Sequence, residues 1–167
     1  MNQTRIALKT FCILLSVSVL GVSGTTSVQA QEQEQEKEKS LYERLGGVHG
    51  IATVVDDFIE RVAANESINA NPAIKEPRDR VPIAGIKHRV TELICQVTGG
   101  PEKYNGRTMK EVHKDMNITE KEWDAMVADF KKTLDKFKVP EKEQNELFAI
   151  VESTKPDIVM SSTTSKQ

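Results

Sequence analysis

The chain has 167 residues, with 23 Lys and Arg against 25 Asp and Glu and a formal net charge of −2. That length suits one domain with short flanks. A balance without basic excess speaks against a nucleic-acid surface, which needs clustered positive charge, and against an anionic membrane surface as partner.

The chain opens on a leader. Arg5 and Lys9 form a short basic start, Phe11 to Gly24 runs apolar and small without a charge, and Val28-Gln29-Ala30 ends it in a small-x-small pattern. This is the layout of a cleavable signal peptide over residues 1–30, which predicts a secreted or periplasmic protein. A membrane anchor needs about 20 apolar residues, and this run is shorter and diluted by Ser and Thr; an uncleaved anchor is the alternative. The mature form is therefore expected to hold no membrane span. Removing the leader takes away Arg5, Lys9 and Cys12, leaving 21 basic against 25 acidic residues, a charge of about −4, and Cys95 as the remaining thiol. No internal disulfide is then available, so a small exported domain must rely on its core, a partner or a cofactor.

Residues 31–39, QEQEQEKEK, hold no apolar side chain and read as a charged, disordered spacer. A single folded domain is expected over residues 40–160 and a disordered tail over 161–167. Inside the domain the apolar spacing is helical and strand alternation is absent, so the fold class is all-α. A short helix at Ser40 to Leu45 stops at Gly46-Gly47. Ile51, Val54, Val55, Phe58, Ile59 and Val62 then form a stripe along one helix face. Pro72 and Pro77 make Asn65 to Arg80 irregular. Ile83, Ile86, Val90, Leu93, Ile94 and Val97 mark a second long helix, ended by Gly99-Gly100-Pro101. A short helix from Thr108 to Asp115 follows the Asn105-Gly106 turn. Thr119 with Glu122 is a capping box opening a helix with the face Trp123, Met126, Val127, Phe130, Leu134 and Phe137. The last helix starts near Pro140, buries Leu147, Phe148, Ile150 and Val151, and weakens at Pro156.

Of the three histidines, His113 shares a helical face with Met109 and Val112. A neutral imidazole buried there needs a hydrogen bond or a metal. The local pattern alone leaves a structural, a surface and a ligating role open. His88 falls off the apolar stripe between Lys87 and Arg89, and His49 sits near a helix start. Asp56-Asp57 and Glu141/Glu143 read as solvated faces rather than a carboxylate pair. Cys95 is expected to pack against another helix, with cross-linking of two chains as the alternative.

Several segments together resemble the group I truncated haemoglobins. Ser40 to Gly47 (SLYERLGG) is similar to that family's opening, and Thr98 to Met109 (TGGPEKYNGRTM) running on to His113 is similar to its approach to the proximal histidine. Asn117-Ile118-Thr119 and Val139-Pro140 match as well. The likeness spans residues 40–160 and implies a two-on-two helical sandwich, the Ile51 helix with the Ile83 helix and the Trp123 helix with the Leu147 helix, around one haem b. It implies His113 as the iron ligand, Met109 and Val112 beside the haem, Tyr104 near it, and Arg107 or Lys110 on a propionate. Covalent c-type attachment is excluded, because C-x-x-C-H does not occur. The implied partners are the haem, a diatomic gas and a redox partner.

The far side of the implied site departs from the family. The family sets a tyrosine directly after the phenylalanine of the first long helix, as a donor to dioxygen. Here Phe58 is followed by Ile59, and the inward candidates on the next helix, Ile86 and Val90, are also apolar. Asn71-Pro72 stands where the family carries an aromatic pair. The resemblance thus predicts a gas-binding haem protein with an apolar distal pocket and weak hold on oxygen. The alternatives are a haem enzyme acting on nitric oxide or peroxide, His88 as a sixth iron ligand, and a helical interaction module without haem.

Overall fold

The computed structural model describes residues 39–160. The expected leader of residues 1–30, nearly all of the expected spacer and the tail of residues 161–167 lie outside the described residues.

Among the described residues there are eight helices and no strand. Helix α1 (Leu41–Arg44) is a single turn closed by a reciprocal cap, in which the Ser40 hydroxyl accepts from Glu43 N and the Glu43 carboxylate accepts from Ser40 N. Gly46, left-handed at φ 85°, turns the chain into α2 (Gly47–Ala64). Then come α3 (Glu66–Asn69), α4 (Pro72–Asp79), α5 (Ile83–Val97), α6 (Met109–Val112), α7 (Glu120–Lys136) and α8 (Glu141–Ile158).

One expectation fails: residues 65–80 are largely helical rather than irregular. Helix α8 ends at Ile158, close to the weakening expected near Pro156. Asn65 caps α3 by accepting from Ser67 N and Ile68 N, and Asn71 caps α4 by accepting from Ala73 N. Pro72 takes the first helical position, where its missing N–H is not needed. Pro77 and Pro156 each forfeit one hydrogen bond near a helix end, which a short or already anchored helix tolerates. The cap of α7 is the expected one, with Thr119 and Glu122 exchanging hydrogen bonds.

The expected pairs form: α2 packs on α5, and α7 meets α8. In addition, α2 crosses onto α7 and α6 packs on α8. One core cluster holds Leu41, Phe130, Leu134 and Leu147, with the rings of Phe58, Phe130 and Phe148 stacked edge to face at 5.1 and 5.4 Å. A second holds Ile51, Val55 and Cys95 between α2 and α5. Cys95 is fully buried, so packing rather than cross-linking is its role. Burial, with the Glu102 carboxylate nearby, pushes its thiol up to about 11. Ile83 and Val97, placed on the buried stripe by spacing, are exposed. The helix presents a narrower face to α2 than its apolar run suggests.

The acidic residues also need correction. Glu143 is buried against Arg44. Asp57 accepts from Arg61 Nε at 2.7 Å, from the Thr133 hydroxyl at 2.9 Å and from Lys136, so it ties α2 to α7. Asp56 and Glu141 are exposed as expected.

Candidate functional site

Helix α6 is one turn long, and isolated helices of that length do not persist in water. Local chemistry holds it. The Thr108 hydroxyl accepts from Glu111 N at 3.2 Å, and the Glu111 carboxylate accepts from Thr108 N at 2.8 Å. This Thr-x-x-Glu box is legible in the sequence by the same rule that locates Thr119. The approach to α6 is braced too. Tyr104 N donates to Gln96 Oε1 at 2.8 Å, and the Tyr104 hydroxyl donates to the Arg107 carbonyl at 2.7 Å. The ring lies so close over Gly106 that a Cβ there would sit 2.3 Å from Tyr104 Cζ. That contact explains the Tyr-x-Gly spacing.

His113 ends α6 as its C-cap residue, with φ −99° and ψ 0°. Its backbone N–H donates to the Met109 carbonyl at 3.1 Å, and its ring Nδ1 lies 2.8 Å from the same oxygen. A carbonyl only accepts, so Nδ1 carries the proton and Nε2 is left with its lone pair. The ring is half-buried, and burial pushes its pKa below the ordinary histidine value, with the Met109 hydrogen bond opposing. The imidazole is therefore neutral, oriented and basic at one nitrogen. Such a backbone-anchored Nδ1–H is how ligating histidines are commonly held. Met109 and Val112 beside it are half-buried, while Arg107 and Lys110 are exposed.

The distal candidates divide between two places. Phe58 and Val90 line an apolar cavity of about 230 Å³, with Ile51, Val54, Ile94 and Phe130 among its other walls. Ile59 and Val90 pack against the Ile51, Val55 and Cys95 cluster. Ile86 instead faces a more open recess of about 250 Å³ with Ala63, Arg78, Val81 and Ile83. His113, Met109 and Val112 line neither. His88 does not point inward: its side chain is 67 % exposed, with Nε2 3.4 Å from Glu92, which gives no support to a sixth-ligand role.

The donor set suits one kind of metal. Among the described residues no group of three or more His, Cys, Asp or Glu gathers around a common point. A lone neutral imidazole in apolar company does not chelate a bare ion, but it suits an iron whose remaining nitrogens come from a macrocycle.

The all-helical fold fits a helical haem protein. The chain belongs to the bacterial-like globin family, whose sequence profile matches residues 40–160, and its relatives place it among the group I truncated globins. It is 28% identical over 121 residues to a group 1 truncated haemoglobin of Tetrahymena pyriformis, covering 72% of this chain and 95% of that one. It is 32% identical over 106 residues to the group 1 truncated haemoglobin GlbN of Synechocystis, covering 61% of this chain and 81% of that one. In architecture it is similar to the 2/2 haemoglobin of Synechococcus, solved in the cyanomet state with covalently attached haem. The TM-score is 0.63 at 24% identity, over 72% of this chain and 98% of that one. The fold is therefore the two-on-two helical sandwich, and the cofactor class is haem with iron.

Proposed function

We propose that the domain holds haem b through His113 Nε2 and takes a diatomic gas on the opposite, apolar side. The observation that carries this reading is the half-buried His113 ring, with Nδ1 fixed 2.8 Å from the Met109 carbonyl, burial lowering its pKa, and Nε2 without a hydrogen bond among the described residues. When bound, the haem supplies an iron with one further coordination position for a small gas. The residues of this chain do the rest. Met109 O sets the tautomer and aim of the imidazole, and α6 carries that aim through its packing on α8. Phe58, Ile59 and Val90 offer an apolar lining on the other side and no side-chain donor. Arg107 and Lys110, exposed next to α6, suit the propionates, which want charge-assisted partners at the solvent edge. Tyr104 acts at one remove, as the brace of the loop that leads into α6.

Non-covalent attachment fits the residues present: C-x-x-C-H is absent and Cys95 is buried. The test is spectroscopic. Purified protein reconstituted with haem should show a Soret band, and acid–butanone should extract the pigment. His113→Gly should lose most of the band and regain it with added imidazole. A His113→Gly protein that keeps the parent spectrum without imidazole would show that another residue holds the iron.

A further inference from the structure

Asn71 touches three elements at once. Its Oδ1 accepts from Ala73 N at 3.0 Å and caps α4. Its Nδ2 donates to the Met116 carbonyl at 3.1 Å and lies 3.4 Å from Glu122 Oε1. Met116 stands three residues beyond His113, and its own N–H returns to the His113 carbonyl at 3.1 Å, closing the turn between them. Glu122 is the carboxylate of the capping box that opens α7. One amide thus joins the segment leading into α5 to the turn carrying His113 and to the start of α7.

The two ends of this amide do different work. The oxygen serves its own helix, as any Asn, Asp or Ser cap would. The nitrogen crosses to a strained piece of backbone. Asp115 and Asn117 are left-handed, with φ 66° and 49°, a region that non-glycine residues occupy at some energetic cost. Isolated bonds rather than a helix ladder hold residues 114–118: Met116 N to the His113 carbonyl, Met160 N to the Ile118 carbonyl at 2.9 Å, and the Asn71 amide to the Met116 carbonyl.

We propose that Asn71 is a positioning residue for His113: through Met116 it holds the turn behind the imidazole against the α4 side, and so fixes the ring's aim into the haem crevice. The inference rests on the haem reading above. Asn71→Ser keeps a good helix cap but is too short to reach Met116. Asn71→Asp keeps a strong cap and removes the donor by a different chemistry. In the haem-free protein, both variants should raise the amide exchange rate of Met116 about fivefold or more, the worth of one hydrogen bond. With haem bound, both should shift or broaden the iron–histidine stretching band in resonance Raman, and haem should pass to excess apomyoglobin about five- to tenfold faster than from the parent. A merely structural cap would leave the band and the transfer rate unmoved, and that result in both variants overturns the proposal. Failure of the haem reading has its own signature: the parent itself would show no iron–histidine band, and the inference would fall with it.

Discussion

Ile59 is where this chain differs most in chemistry from the resemblance that identified it. It packs with Val90 against the Ile51, Val55 and Cys95 cluster, and an aliphatic side chain has no proton to give. A gas that gains negative charge on binding is held longer by a nearby donor, a hydrogen bond to a charged group being worth about 1.5–3 kcal/mol. We therefore expect oxygen to leave the ferrous protein quickly in stopped-flow. Ile59→Tyr should slow that step roughly 10- to 100-fold while changing carbon monoxide dissociation little. Slow oxygen release in the parent, unaltered by Ile59→Tyr, would mean that a donor reaches the gas from elsewhere. His113 shows the complementary limit. Its place in a Tyr-x-Gly-x-x-Met-x-x-x-His run is visible in the sequence, but its tautomer follows from one carbonyl 2.8 Å away.

Helix α6 has no stability of its own to spare. Its four residues are held by the Thr108–Glu111 box, by the Tyr104 brace and by packing on α8. Removing the cap should cost about 1 kcal/mol. Because the turn is local, we expect Thr108→Ala to lower the urea midpoint of the haem-free protein only slightly. Haem loss should quicken about fivefold, the same energy read as a rate. A large drop in the midpoint with unchanged haem loss would place the role of Thr108 in global folding instead. Helices α3 and α4 teach the same lesson about caps. Asn65 and Asn71 start these helices by accepting backbone N–H groups at their N-termini, and at α4 Pro72 adds a pre-set first helical position.

Across the whole molecule, α2 is joined to α7 through charge as well as apolar contact. Burial raises the Asp57 pKa, but Lys136, Arg61 and Thr133 outweigh it and hold the carboxyl at about 2. A folded value below the unfolded one, about 3.9, means the group stabilises the fold above that pH and loses its contribution as pH falls through about 2. Asp57→Asn should thus cost roughly 2 kcal/mol at neutral pH. The gap from the parent should stay constant down to about pH 5 and close between about pH 4 and 2. Denaturant titrations at several pH values would show this, and a gap that persists at pH 2 would rule out the carboxylate as its source. Glu143 with Arg44 does for α8 and α1 what Asp57 does for α2 and α7.

The four long helices, the Thr119 cap and the candidate histidine could all be read along the chain, because a 3.6-residue repeat, a cap and a short motif are properties of neighbouring residues. The exposure of Ile83 and Val97, the burial of Glu143, the tying of Asp57 to α7, and the reach of Asn71 to Met116 could not. Each depends on which distant segment arrives opposite, and apolar or charged character is the same on either side of a helix until a partner covers one of them. The aim and charge state of the His113 ring belong with these: Met109 is a near neighbour in sequence, but the loss of water that keeps the imidazole neutral comes only from the assembled fold.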